Sequence, residues 1–291
     1  MVPYPLDSSE ASMKERFAAP PLLEIIAELR WEIQGYALQP DSPGLTMAMM
    51  PLMPAMLLPY EDAFVGFTKA MSVCGFNNSE RLIPNGFPCM PHEPVMRYRH
   101  NGNDQGASET LKASTLFQIG AGIFTANAVP PYTSWEDFEP LVRTGVESLG
   151  VIVMPGGRPA RFSPTLRYID AFKLPLTDGM SLQDFMNRVM GFDLSVPETL
   201  RSVGSKQTQM PVVQVVKFLD FGRMNLQFAD GNVNGERALL LDMSVVFDEK
   251  VDNDVRALMR AFGQAREEIH EVFVALTKPI HHLMKPIGSE S

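Results

Sequence analysis

The chain has 291 residues, enough for one large domain or two moderate ones, and its 45% hydrophobic and 20% charged residues are typical of a globular protein. Its formal net charge of −9 and the lack of a basic run argue against DNA or RNA as a partner, because nucleic-acid-binding proteins usually present a basic face. The chain contains only two cysteines, which predicts no disulfide framework, and its polar first segment predicts no signal peptide. We therefore expect a cytoplasmic protein.

The first elements follow from composition and periodicity. Residues 1–18 are polar and aperiodic and predict a flexible tail. Residues 20–33 alternate apolar and polar side chains, which predicts a strand, with a helix as the competing interpretation. Residues 42–60 carry no charge, but four prolines interrupt them, so we expect no membrane-spanning helix. An apolar stripe over 59–75 predicts a helix, and the proline-rich segment 82–100 predicts an edge strand or a long loop.

Segment 117–124, FQIGAGIF, contains two glycines that could belong to a phosphate-binding loop. A dinucleotide-binding fingerprint requires a third glycine at a strand-to-helix turn, whereas Thr125 stands at that position and the chain continues extended. We therefore predict a single strand with Gly120 and Gly122 on the same face, where they leave room for a helix, a backbone segment or a ligand. Close packing of a helix is the interpretation that we favour.

The second half of the chain contains clearer helix and strand signals. Ser134 is positioned to cap a helix that ends at Gly150. The other predicted elements are a strand at 161–172, a short helix at 181–191, strands at 210–221, 223–230 and 236–249 with a turn at 230–235, and a long helix from Asp252 to Leu276.

This order of elements predicts an α+β fold with mostly antiparallel sheets, packed helices and a long C-terminal helix. After the tail, we expect an α+β domain at 19–175 with a βαββαβ-like order of elements. A second part, 176–291, would contain a three-stranded antiparallel sheet and the long helix. One continuous domain is the alternative.

The chain resembles a sporadically distributed family of uncharacterised bacterial proteins. The resemblance rests on Q-I-G…N-x-x-P-P-Y-x-x-W-x-x-F within 117–138 and on L-R-Y-I-D at 166–170, where Asp170 replaces a commoner Asn. The opening segment 20–31 and the closing segment 269–284 are also similar to that family. The resemblance implies no assigned reaction, and the family's patchy distribution implies genes that travel on mobile elements, often beside defence or regulatory genes.

Four further residues are candidates for a binding site. Arg167 and Asp170 lie on a predicted strand, and a buried arginine must find an acceptor. We expect Arg167 to pair with Asp170 or another carboxylate, with ligand binding as the alternative. Tyr132 and Trp135 lie at a loop-to-helix junction, where they either form a hydrophobic staple or contact a partner protein.

The sequence contains no nucleophile–histidine motif or phosphate-binding loop, and its one metal-ligand spacing is the lone pair Cys89 and His92. We therefore predict no catalytic residue, no metal site and no cofactor. Our first hypothesis is a non-enzymatic protein that binds another protein through a hairpin edge or the methionine-rich segment 47–58. The alternative is an enzyme or small-ligand-binding protein with a pocket near Gly120, Gly122, Arg167 and Asp170. A homodimer formed through sheet edges is compatible with both.

Overall fold

The fold is an α+β arrangement of long antiparallel strands and amphipathic helices. The computed structural model describes six stretches of the chain, residues 16–33, 60–84, 90–101, 107–130, 134–195 and 212–287. The strands are β1 (Arg16–Phe17), β2 (Leu22–Arg30), β3 (Asn78–Arg81), β4 (Met96–Arg99), β5 (Thr115–Gly120), β6 (Ile123–Ala128), β7 (Arg161–Phe172), β8 (Val212–Leu219), β9 (Gly222–Val233), β10 (Glu236–Phe247), β11 (Val251–Asp252) and β12 (Pro286–Ile287). The helices are α1 (Tyr60–Val73), α2 (Ala107–Ala113), α3 (Trp135–Gly150), α4 (Leu182–Arg188), α5 (Val255–Thr277) and α6 (His281–Met284). The predicted fold class, including the long C-terminal helix α5, is confirmed.

One large sheet organises the molecule. Its strands follow the order β3-β4-β5-β6-β2-β7-β10-β9-β8, with β11 beside β7, and neighbours are antiparallel. β2 lies between β6 and β7. β7 then pairs with β10, from Phe172 opposite Leu239 to Thr165 opposite Val246. The sheet therefore continues without a break between the two expected parts of the chain.

Helices α1, α3 and α5 pack side by side on one face of this sheet. Alternate residues of β2, namely Ile25, Ala27 and Leu29, are fully buried on that face, as the period-two pattern predicts. The opposite face is polar, and Asn127 Nδ2 donates a hydrogen bond of 2.8 Å to Glu24 Oε1 there. Among the described helices, none is both long and apolar enough to cross a membrane.

The prediction of one continuous strand through 117–124 is wrong. β5 and β6 form a hairpin that turns at Ala121–Gly122, and the rings of Phe117 and Phe124 stack on the same face with centroids 6.1 Å apart. Gly122 has φ +80°, a conformation that favours glycine. A Cβ on Gly120 would lie 1.9 Å from the carbonyl oxygen of Glu93. The favoured explanation of helix packing is also wrong here, because a backbone segment approaches Gly120 and a histidine ring, that of His92, approaches Gly122.

The close approach of a helix to the sheet occurs instead at Gly145 of α3. A Cβ at this position would lie 2.6 Å from ring atoms of both Phe117 and Phe124. Gly145 therefore allows α3 to pack directly on the aromatic side chains of the β5–β6 hairpin.

Two other sequence predictions need correction. Arg16 and Phe17, which belong to the predicted flexible tail, form β1 and pair with β12 near the other end of the chain. The predicted turn at 230–235 is shorter, because β9 continues to Val233 and only Asn234 and Gly235, both with positive φ, form the turn. Residues 1–15, segment 47–58 and Tyr132 lie outside the described residues.

Candidate binding pocket

A half-open cavity of about 110 Å³ lies between the helix layer and the centre of the sheet. Its walls come from β1, β2, α3, β7, β10 and α5, which are distant from one another in sequence. The apolar wall consists of Phe17, Leu22, Trp135, Met243, Ile269 and Phe273. We call this cavity the Asp170 pocket, because one buried carboxyl group distinguishes it from an ordinary gap in a hydrophobic core.

Asp170 lies on β7 between Leu22 of β2 and Leu241 of β10, and it lines the pocket. The residue is only 3% exposed, and its Oδ2 atom is buried without a hydrogen-bond partner in the described part of the chain. Burial raises the pKa of Asp170 to about 8, and the nearby Asp242 carboxylate contributes to the rise. At neutral pH this carboxyl group is therefore mostly protonated, and it can both donate and accept a hydrogen bond.

An ion-pair cluster forms the polar side of the pocket. Glu136 lies 3.2 Å from Arg16 and 3.6 Å from Arg266, and the Arg266 side chain is almost completely buried. Burial alone would raise the pKa of Glu136, but its backbone hydrogen bond and the two arginines together lower it. The cluster thus links β1, α3 and α5 beside the cavity.

The N-terminus of α3 fixes the position of Trp135. Ser134 is the N-cap residue, and its Oγ accepts a hydrogen bond from the Asp137 backbone N–H and donates one of 2.9 Å to Asp137 Oδ2. This confirms the predicted cap. Trp135 is buried and meets Phe138 edge-on, with ring centroids 6.1 Å apart. The helix start therefore presents a rigid aromatic wall to the pocket.

Of the sequence candidates, Asp170 and Trp135 come together in this pocket. Arg167 does not, because its side chain pairs with Asp242, with Nε 2.8 Å from Oδ1. The predicted structural pairing of Arg167 is thus present, and the acceptor is not Asp170.

The predicted pocket near Gly120, Gly122, Arg167 and Asp170 is not formed. Gly122 lies beyond the Arg30 end of β2, where its carbonyl oxygen accepts from the Trp31 backbone N–H, whereas Asp170 lies opposite Leu22 at the other end. Nine residues of β2 separate the two positions by about 25 Å. The two glycines therefore belong to a different part of the molecule.

Sequence reasoning missed several residues of the pocket, among them Arg266 and Phe17. Arg266 lies on the buried face of α5 together with Phe262, Ile269 and Phe273. Its position within the apolar stripe of this helix could have identified it from the sequence as a buried charged residue. No comparable signal identified Phe17, because β1 contains only two residues.

Within the described stretches, no cluster of three or more histidine, cysteine, aspartate or glutamate side chains could hold a metal ion. The chemistry available in the Asp170 pocket is hydrogen bonding by a protonated carboxyl group beside aromatic rings, with the Arg16, Glu136 and Arg266 charges on its polar side.

Comparison of the chain with protein-family models, with curated proteins and with solved structures found no match.

Proposed function

We propose that this protein is a non-enzymatic binding protein and that the Asp170 pocket receives an apolar group that carries an N–H hydrogen-bond donor. The supporting observation is the Asp170 Oδ2 atom, which is buried and has no hydrogen-bond partner among the described residues, in a residue that lines the cavity. A buried polar atom without a partner costs about 1–3 kcal/mol, and a ligand that supplies the missing hydrogen bond recovers that cost. An amine or a primary amide satisfies this requirement.

The size of the pocket limits the group that it can hold. An engineered apolar cavity of about 150 Å³ in another protein holds benzene, and the Asp170 pocket has about 110 Å³ with a half-open mouth. It therefore suits one small ring or a short side chain rather than a complete cofactor. This size supports our sequence hypothesis of a protein partner, which would insert a single side chain as an anchor.

Small probes test this function directly. We expect benzamide or benzylamine to shift the Trp135 indole N–H resonance in ¹H–¹⁵N spectra, and to bind more tightly than toluene. Asp170→Leu keeps a similar side-chain shape but removes the acceptor, so this variant should prefer toluene. Asp220→Asn, at an exposed aspartate outside the pocket, is the matched control and should retain the wild-type preference. Equal probe preference in the wild type and in Asp170→Leu would refute the proposal.

Self-association through β8 is a second candidate function. β8 is the last strand of the sheet, and among the described residues no strand pairs with its outer edge. Phe218 is 83% exposed and Val212 is 62% exposed on this strand, which is unusual for an unprotected edge. Antiparallel pairing of two copies with Val215 opposite Val216 places Lys217 opposite Gln214, so like charges do not meet.

The oligomeric state tests the second candidate. We expect a dimer in sedimentation-velocity experiments and dissociation of that dimer by Phe218→Asp, because in this register Phe218 faces Val213 of the second copy and the substitution replaces an apolar cross-strand pair with a charge. Val153→Asp, at another exposed valine, should leave the dimer intact. A monomeric wild-type protein would exclude this candidate.

The family resemblance further implies a gene that travels with mobile elements or defence systems. That implication concerns the biological setting rather than the pocket. Recurrent defence genes beside close relatives of this gene would support it, and a constant housekeeping neighbourhood would contradict it.

A further inference from the structure

A second cavity, of about 340 Å³, lies beyond the other end of β2. Trp31, Glu32, Lys250 and the loop 154–161 between α3 and β7 line it. It shares no lining residue with the Asp170 pocket. Whatever this cavity binds is therefore independent of the function proposed above.

Trp31 supplies the observation that points to a ligand. The residue is 3% exposed, and its indole Nε1, a hydrogen-bond donor only, is buried without a partner in the described part of the chain. The ring is held in place, because the backbone N–H donates to the Gly122 carbonyl oxygen and the ring meets Phe162 edge-on with centroids 5.7 Å apart. Trp31 is one of the residues that line the cavity, so an acceptor atom bound next to its ring is the partner that this buried donor lacks.

The charged side chains around this cavity favour a negatively charged acceptor. Three cations, Arg158, Arg161 and Lys250, line the cavity, with Glu32 as the single carboxylate among the lining residues. Arg161 pairs with Asp252 at 2.8 Å, and Lys250 contacts Glu32. Arg158 forms no ion pair within the described stretches, and its guanidinium makes a long bond of 3.4 Å to the Val151 carbonyl oxygen.

The loop leaves space next to these groups. Gly156 and Gly157 have φ values of +82° and +100°, so the loop turns sharply without side chains. A Cβ added at Gly157 would meet no atom within 4 Å. Gly157, which is among the lining residues, therefore has open space beside its backbone.

We propose that this cavity binds an oxyanion, a carboxylate or a phosphate, which accepts a hydrogen bond from Trp31 Nε1 and pairs with Arg158. The ligand satisfies the buried indole N–H, and the planar guanidinium of Arg158 matches the geometry of either oxyanion. Carboxylate and phosphate share this chemistry, and the experiment separates them.

The two tryptophans of the chain allow a direct test, because each indole N–H gives its own resonance and each lines one cavity. Trp31→Phe and Trp135→Phe assign the two signals. We expect sodium acetate, inorganic phosphate or both to move the Trp31 resonance downfield with saturation, while sodium chloride at equal ionic strength does not. Saturation by acetate alone identifies a carboxylate site, and saturation by phosphate alone identifies a phosphate site.

Arg158→Gln should weaken oxyanion binding by at least about tenfold, because a hydrogen bond to a charged group is lost. Arg143→Gln is the matched control, since Arg143 is a partly exposed arginine that pairs with Glu139 on α3, away from this cavity, and it should bind like the wild type. A Trp31 resonance that neither anion moves, or that chloride moves equally, would overturn the proposal. The Trp135 response to benzamide tests the Asp170 pocket separately, so a negative result at Trp31 would not affect the function proposed above.

Discussion

At the residue scale, Asp170 should control part of the pH dependence of stability. Its folded-state pKa is raised to about 8, above the usual value of about 3.9 expected in the unfolded chain. Between these two values the folded protein retains a proton that the unfolded chain releases, so the contribution to stability is complete at low pH and is lost as the pH rises to about 8. The limiting slope for one such group is about 1.4 kcal/mol per pH unit.

We therefore expect Asp170→Asn to have a free energy of unfolding that falls less steeply with pH than that of the wild type. Urea unfolding at several pH values between about 4 and 8 measures the difference, and above about 8 the two curves should run parallel. Asp220→Asn, at an exposed aspartate in the turn between β8 and β9, is the control and should retain the wild-type slope. Parallel curves over the whole range would contradict the buried, protonated state.

The sequence identified Asp170 and Arg167 as unusual because charged residues on a strand of a large sheet need an explanation. It could not identify the partner of Arg167. Asp242 follows 75 positions later, and the contact depends on the register between β7 and β10. Periodicity describes one strand at a time and does not determine which strands pair.

At the element scale, Gly145 should control the packing of α3 on the sheet. An added methyl group would lie 2.6 Å from ring atoms of Phe117 and Phe124, which are fully buried and cannot move freely. Overpacking of this kind usually costs about 1–3 kcal/mol, which exceeds the gain of about 1 kcal/mol from a better helix former. We expect Gly145→Ala to lower the thermal unfolding midpoint.

Gly263 on α5 is the matched control for that experiment. A Cβ at this position meets no atom within 4 Å, so Gly263→Ala should raise stability by up to about 1 kcal/mol through helix propensity alone. Calorimetry of both variants gives the comparison. If both substitutions stabilise the protein, the packing described for α3 is incorrect.

The elements that sequence reasoning predicted well were the long ones. The capped helices and the strands β2, β7 and β10 have sustained periodicity or strong capping signals. The β5–β6 hairpin was missed because its apolar residues continue through the turn, and Ala121–Gly122 is not one of the dipeptides that usually mark a hairpin. The alternation of the first strand was therefore extended through the turn into the second strand.

At the scale of the whole molecule, the continuous sheet predicts cooperative unfolding. β7 pairs with β2 on one side and with β10 on the other, and α5 packs on both β7 and β10. Separating the chain near residue 175 would expose the edge of β7 and the apolar face of α5.

We therefore expect one unfolding transition rather than two. Tryptophan fluorescence reports on Trp31 and Trp135, both before residue 175, and hydrogen exchange of the β9 and β10 amides reports on the part after it. In urea the two signals should change with the same midpoint. Clearly separated midpoints would instead support two independently stable domains.

The sequence predicted the fold class but not the arrangement that creates the pocket. The antiparallel α+β order follows from long strands linked by short turns. The pocket requires β1 to pair with β12 and Arg266 to reach Glu136, and both contacts join segments that are far apart in the chain. Such contacts form only in the assembled tertiary structure, and no pattern in the neighbouring sequence predicts them.

The most direct test of the central claim is a ¹³C NMR titration of the Asp170 side-chain carboxyl group, with and without benzylamine. We predict a titration midpoint near pH 8 for the free protein, and a lower midpoint when the amine occupies the pocket, because a bound cation favours the ionised form. A midpoint near the ordinary aspartate value of about 4, unchanged by benzylamine, would show that Asp170 is not the buried, unpartnered group on which the proposed binding function depends.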